Sequence, residues 1–483
     1  MNVHTLIIGA GAGGLCMAAR LAASGDRDFL VLEKSQEVGG TWYDNTYPGA
    51  ACDVPSHLYS FSFWSNRSWS RQYSPQPEIL EYFQRFADHF ELRPQVRFGT
   101  TVDRASWDED ASMWRVTCSD ATEISARVLV CALGQLNRPN IPEIDGFEHF
   151  QGAAFHSARW DHTVDLDGRR VGVVGSAASA VQFVPEVAKQ AQSLTIFQRS
   201  PNWILPRNDV TYSQTRRRAF EKLPGLARLY RWWLYWRLEL LYFVVIRNSR
   251  LSGWLARRVA AEVSQLANER LPVRALVPEV PMGCKRVLVS DNYYQTLLKP
   301  SVRVELSPLA SADATGMVTA DGVHHDLDVV IFGTGFRATQ FLSPLEVIGR
   351  EGRRLNDVWA RGAYAHRGIA ISGFPNLFML YGPNTNLGHN SILFMIEAQT
   401  RYVGQLIRRL HEERLRWIEP DPNVEASYNR DLQTANSQTV FSAGCSSWYV
   451  NEFGRVVNNW PSPATAYWKA MRTPNPAEFV VRR

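Results

Sequence analysis

The chain repeats one local design twice: a short apolar strand, a turn of small residues, an apolar helix and a second strand. The first copy opens with HTLIIGAGAGGLCMAARLAASG from residue 4, with Gly9-x-Gly11-x-x-Gly14 as its turn, and closes on the strand FLVLE at Glu33. In the second, RVGVV from residue 170 leads into Gly175-Ser176-Ala177-Ala178-Ser179-Ala180, and LTIFQ ends at Arg199. Small residues let the chain turn tightly and let its backbone approach a pyrophosphate, while the helix N-terminus offers free amides and partial positive charge. Each unit therefore predicts a dinucleotide site. The closing residue lies 24 positions after the first glycine in both units, but it is Glu33 in one and Arg199 in the other. A carboxylate accepts ribose hydroxyls and repels a 2′-phosphate, whereas a guanidinium pairs with that phosphate. The first unit is expected to bind an unphosphorylated ADP half, with Gly9, Gly11, Gly14 and Glu33 at the site. The second is expected to prefer NADPH over NADH, through Gly175, Ser176, Ser179 and Arg199. Ala177 and Ala180 depart from the usual glycines of such a turn, and Ala177 places a methyl where backbone should approach pyrophosphate.

Two nucleotide units need room. With 483 residues, 45% of them apolar, the chain can bury several cores, so two or three domains are expected. The net charge of +5 is spread among acidic residues without long basic runs, which argues against a nucleic-acid partner. Six widely spaced cysteines with no CxxC suggest reduced thiols in a cytoplasm, with neither disulfides nor a metal site. The first strand begins almost at Met1, so no cleavable leader is expected. One segment reads like membrane: WWLYWRLELLYFVVI, residues 232–246. It is shorter than the roughly 20 residues a span requires and contains Arg237 and Glu239. Its aromatic face, flanked by Arg228, Arg231, Arg247 and Arg250, suits a membrane surface; a helix packed over an enzyme core gives the same pattern and is the preferred reading.

Between the two units runs Phe150-x-Gly152-x-x-x-His156-x-x-x-Trp160-Asp161. It resembles the fingerprint of flavin-dependent monooxygenases. Trp160-Asp161, together with Gly39-Gly40-Thr41-Trp42, Tyr47-Pro48-Gly49 and Asp53, narrows the resemblance to type I Baeyer-Villiger monooxygenases. Ala51 stands where an Arg often follows the Pro-Gly pair. In PMGCKRVLVSDNYY, residues 281–294, Lys285-Arg286 match the family's Lys-Arg pair. The resemblance continues through LDVVIFGTGF, Gly382-Pro383-Asn384 and CSSWY with Trp448, and is weak over residues 210–279.

The resemblance implies an α/β fold with two Rossmann-like domains. A discontinuous FAD domain would span residues 1–140 and 335–483, and an NADPH domain residues 150–334. The weakly matched segment 210–280 inside it, rich in Arg, Leu, Trp and Tyr at helical spacing, reads as a helical insertion placed to roof the substrate pocket, and its aromaticity points to an apolar substrate. FAD and NADPH are the implied cofactors, with Thr41, Trp42, Asn384 and Trp448 added to the cofactor-binding set and Lys285 joining Arg199 on the 2′-phosphate. Arg286 and Asp53 are the implied catalytic residues. An anionic C4a-peroxyflavin would attack a small apolar ketone and give an ester or lactone. A permanently charged guanidinium suits that chemistry, since a pair about 4 Å apart at an effective dielectric near 20 is worth on the order of 4 kcal/mol before desolvation. Asp53 would hold Arg286 and let it move. His156 and Trp160 are read as coupling domain motion to nicotinamide binding, with Phe150, Gly152 and Asp161 in the same linker. Other chemistries on such a scaffold are N- or S-oxygenation, NADPH oxidase or dehydrogenase activity, and a non-catalytic flavoprotein recruited to a membrane.

Overall fold

A computed structural model describes residues 1–483 except Asn248 and Ser446. Its centre is an eight-stranded sheet in which Asn2–Ile8 lies between Phe29–Leu32 and Glu123–Cys131, parallel to both. Leu377–Met379, from late in the chain, adds parallel to Glu123–Cys131, and Glu346–Ile348 pairs with Val102–Asp108. The second sheet has five parallel strands, with Arg170–Val174 between Ser193–Phe197 and Val329–Phe332. Its outer strand Ala153–His156 belongs to the linker segment and pairs with Val329–Phe332. The central strands of both sheets are near-continuous apolar runs because helices and loops cover both faces.

The same turn geometry recurs in both units. Gly9 has φ +101° and Gly175 φ +100°, and a Cβ on them would lie 2.7 Å from the Ala132 carbonyl oxygen and 2.6 Å from that of Gly333, respectively. Only glycine fits both the left-handed backbone and the neighbouring strand end. The helices that follow, Ala12–Ala23 and Ala178–Val187, are capped by Gly11 and Ala177 in similar extended conformations, φ −76° and −87°. Those angles are open to any L-residue, so the backbone accepts the Ala177 methyl.

Residues 210–280 form helices. Gln214–Lys222, Pro224–Leu241 and Arg250–Ser264 occupy most of the segment, and a π-helical turn covers Tyr242–Ile246. The helix Pro224–Leu241 packs on the body by one face only. Arg231 donates to the carbonyls of His57 and Leu58, Leu234 is fully buried, and buried Glu239 accepts from Thr465 and Asn390. The expectation of a helix packed over the core accounts for this inner face. Its outer face, with Leu229, Trp232, Trp236 and Leu240, is exposed. Among the described residues no helix is long and apolar enough to cross a membrane.

Gly14 is the tightest point of the first unit, since a Cβ there would sit 1.8 Å from the Gly9 carbonyl oxygen. Gly14→Ala is expected to push the helix off the strand and destabilise the protein by about 1–3 kcal/mol. Thermal denaturation of the purified variant tests this; an unchanged melting temperature would contradict the packing.

Candidate active site

The two units open onto one cavity of about 1000 Å³. Gly9, Gly11, Glu33, Thr41 and Trp42 line it from the first unit, and Gly175, Ser176, Ser179 and Arg199 from the second. Asp53, Lys285, Arg286 and Trp448 line it as well. Thirteen residues distant in sequence thus share one wall.

Asp53 and Arg286 meet directly, with the Arg286 Nη2 donating to Asp53 Oδ2. The Arg286 side chain is 36% exposed and that of Asp53 29%, and both face the cavity. The Asp53 carboxylate holds the Arg286 pKa above the ordinary arginine value, so the guanidinium stays charged at any working pH. Local pairing sets its position. Leu288–Val289 lies parallel to Ile204–Leu205, and Trp203 donates to the Val280 carbonyl at 2.9 Å, anchoring the segment beside the end of the Arg199 strand. The Asp53 loop is held from the other side by Cys52 N to Ser74 O at 3.2 Å and Gln76 N to Ala50 O at 2.8 Å.

At the second unit Lys285 Nζ donates to Ser200 Oγ at 2.7 Å. Burial, and then the nearby Arg199, hold Lys285 below the ordinary lysine pKa. Among the described residues neither cation has a carboxylate within 4.0 Å. Two unneutralised cations beside a glycine turn and helix N-terminus suit a phosphorylated ribose. In the first unit Glu33 Oε2 accepts from Ala10 N at 2.7 Å and Oε1 from Ser35 N at 2.8 Å. These amides fix the carboxylate, which lines the cavity and keeps lone pairs able to accept from hydroxyls. The buried Gln135 Oε1, on the same wall, has no partner within the protein. The residues present therefore fit two dinucleotides.

Three expectations change. Asn384 does not line the cavity: its amide donates to the carbonyls of Val456 at 2.8 Å and Asn459 at 3.1 Å, because its loop needs closing at a φ of +56°. Asn386, two residues on, faces the cavity instead. Gly14 packs beneath the turn and stays off the cavity surface. The absence of disulfides is also corrected, since Cys284 and Cys445 are bonded, 161 residues apart in sequence with Cα atoms 6.3 Å apart. Spacing along the chain carries no sign of a pair that only folding brings together. The bond ties the segment of Lys285-Arg286 to the loop of Trp448, while Cys16, Cys52, Cys118 and Cys131 are free and buried.

The linker residues stand outside the cavity. His156 Nε2 lies 2.9 Å from the Gly335 carbonyl and its Nδ1 accepts from Ala158 N at 3.0 Å, with burial lowering its pKa. Phe150 stacks on Phe147, and a Cβ on Gly152 would meet the Asp328 carbonyl at 2.4 Å. Trp160 packs on Phe155 and Phe183, and Asp161 closes a turn onto Thr163. All five shape the chain between the sheets.

Sequence reasoning passed over Gln182, Ser200 and Tyr59. Gln182 Oε1 accepts from Tyr47 at 2.9 Å and its Nε2 donates to Ala51 O at 3.0 Å, joining the second unit to the loop carrying Asp53. Its position one helical turn after Ser179 was the available signal. Tyr59 accepts from Trp42 Nε1 at 3.0 Å and lines the cavity.

Two dinucleotide cradles facing one cavity, with a charged Arg-Asp pair between them, define a two-nucleotide oxidoreductase. Comparison with known proteins narrows the class. The family described as pyridine nucleotide-disulphide oxidoreductase matches residues 6–221. A Baeyer-Villiger monooxygenase of Streptomyces coelicolor is 39% identical over 484 residues, covering 100% of this chain and 93% of the relative. The closed crystal structure of cyclohexanone monooxygenase superposes with a TM-score of 0.90 at 28% identity, covering 100% of this chain and 99% of that one. OTEMO in complex with FAD and NADP gives 0.87 at 27% identity, with 99% of each chain covered. The chain belongs to the Baeyer-Villiger monooxygenase family.

The Lys285 pKa gives a pH signature. A 2′-phosphate binds the protonated amine, and burial plus Arg199 bring deprotonation to lower pH than in a free lysine. The preference for NADPH over NADH should therefore decline as pH rises through the alkaline range. Lys285→Met should cut NADPH affinity roughly ten- to a hundredfold and leave NADH affinity nearly unchanged. Titrations of both nucleotides across pH measure this, and a flat preference unaffected by the substitution would contradict the assignment.

Proposed function

We propose that this protein is an FAD-containing, NADPH- and O2-dependent monooxygenase that converts an apolar ketone into an ester or lactone, with Arg286 and Asp53 at its reacting centre. The overall balance is ketone, O2, NADPH and a proton to ester, NADP+ and water. The observation that carries the reading is the Arg286–Asp53 pair on the cavity that both cradles share. FAD, when bound and reduced, supplies the activated oxygen.

The chain's residues do the rest. Glu33 holds the ribose of the unphosphorylated nucleotide, and Arg199 with Lys285 holds the 2′-phosphate of the other. These residues share the cavity with Trp42 and Asp53, so a nucleotide they held would lie in the same cavity as the Arg286–Asp53 pair. Arg286 keeps one nitrogen on Asp53, and its remaining N–H donors are available to a carbonyl oxygen in the cavity. When negative charge grows on that oxygen, a guanidinium already in place stabilises it without reorganisation. Asp53 fixes the direction of the fork and moderates its charge. The buried Tyr449 and half-buried Tyr381 lie near Arg286, and burial pushes the Tyr449 phenol up to about 12. That phenol stays protonated at neutral pH, so it adds no competing anion. His156, bound to Gly335 on the linker side, takes no part in proton transfer in this reading and joins the linker to the second sheet.

Arg286→Ala is expected to retain FAD and NADPH oxidation while ester formation falls at least about 100-fold. Arg286→Lys should recover only part of it, because a lysine lacks the planar fork. Gas chromatography of products from a panel of cyclic and linear ketones and sulfides checks this. Esters formed by Arg286→Ala at near the original rate would overturn the assignment, and sulfoxides with no ester from any ketone would move the protein to S-oxygenation.

A further inference from the structure

The helix Pro224–Leu241 and the turn after it present an apolar stripe to solvent. Leu226, Leu229, Trp233, Trp236, Leu240 and Phe243 recur at i, i+3, i+7, i+10, i+14 and i+17, and each is between 41% and 63% exposed. Trp232 flanks the stripe, and Leu251 and Trp254 on the next helix are also at least half exposed. Helical spacing of this kind ordinarily marks a buried face. Here the buried face is the opposite one, through Ala227, Leu234 and Glu239. Among the described residues this second apolar face stays largely exposed, touched only by ring contacts such as Tyr230 on Trp233, and exposed patches of this character mark interaction sites.

Charge around the stripe selects the partner. Residues 223–258 contain seven arginines, no lysine and one acidic residue, Glu239. Glu239 points inward to Thr465, Asn390 and His389, so it does not offset the outer charge. Among the described residues Arg228, Arg237, Arg247, Arg250 and Arg257 are exposed and have no carboxylate within 4.0 Å, while Arg258 is paired with Glu262. Arg237 lies 5.3 Å above the Trp233 ring and Arg258 5.9 Å above that of Trp254. Tryptophan and arginine in this arrangement suit the headgroup boundary of a bilayer, where rings enter the acyl edge and guanidinium groups pair with phosphates. A second copy of the chain would oppose the same arginine cluster to itself, which favours an anionic lipid surface over self-association.

We infer that the segment of residues 223–258 docks the enzyme flat on an anionic membrane surface, with the apolar stripe in the interface and the arginines on lipid phosphates. The inner side of that helix bonds Asn390, a wall residue of the cavity, so docking sets the active site beside the bilayer. The inference stands on exposure and charge and does not depend on which ketone is oxidised.

The test is cosedimentation of the flavin-loaded enzyme with vesicles of phosphatidylcholine alone and with vesicles in which roughly a quarter of the lipid is phosphatidylglycerol. Binding to the anionic vesicles should be at least about tenfold stronger and should weaken as salt is raised. Trp233→Ser/Trp236→Ser and Arg237→Gln/Arg247→Gln should each lose most of it at unchanged flavin content and melting temperature, since all four side chains are exposed. Brominated lipid should quench tryptophan fluorescence in the parent protein and much less in the tryptophan variant. No binding to either vesicle, equal binding to both, or binding that survives both variants would overturn the inference. So would a dimer that the tryptophan variant dissociates in the absence of vesicle binding, which would assign the stripe to a second copy.

Discussion

The ion pair between Asp53 and Arg286 is the contact on which the rest of the site depends, because its two members come from different halves of the structure. Asp53 sits in the loop that follows the first nucleotide unit, and Arg286 in the segment that follows the second. A charge pair only partly open to solvent is costly to assemble, and removing one member leaves the other poorly compensated. Its retention in a wall otherwise shaped to hold nucleotides fits a functional demand better than a stabilising one. The demand is a fixed positive charge, and the pairing keeps that charge insensitive to pH.

Contacts around the pair fasten the halves to each other at the same place. Gln182, on the helix after the second turn, holds Tyr47 and Ala51 of the Asp53 loop through three hydrogen bonds. The Cys284–Cys445 bond fastens the residue before Lys285 to the loop of Trp448. His156 fastens the linker to Gly335, where the chain leaves the second sheet. Further ties between the two parts run through Thr46 and His162, and through Asp44 and Arg159. The linker histidine is thus held by backbone groups and does not itself line the cavity.

Much of the site was legible because its residues obey local rules. Gly9 and Gly175 must be glycine where a strand end turns back beneath a neighbouring carbonyl, and Glu33 and Arg199 follow the second strands at the same offset of 24 residues from those glycines. Asp53 and Arg286 were legible only by resemblance, since nothing in 233 residues of separation signals an ion pair. The errors have physical causes as well. Asn384 looks like a contact in a glycine-proline loop, but its left-handed backbone makes its amide a clasp on residues 456–459. The cysteine pair obeys no spacing rule, and the helix of residues 224–241 has two apolar faces where periodicity reports only one period. Gln182 went unnoticed because a polar residue on a helix ordinarily faces water.

One cavity, with Arg286 on its wall, is proposed to carry oxygen from O2 into a ketone at the expense of NADPH. Oxidation of a cyclic ketone under labelled 18O2, with NADPH consumption and product mass followed together, addresses it most directly. The expected product is a lactone that carries one 18O atom in the ring and forms in near-equal amount to the NADPH consumed. NADPH consumption that yields only hydrogen peroxide with every ketone tried, or a lactone whose new oxygen comes from water, would contradict it.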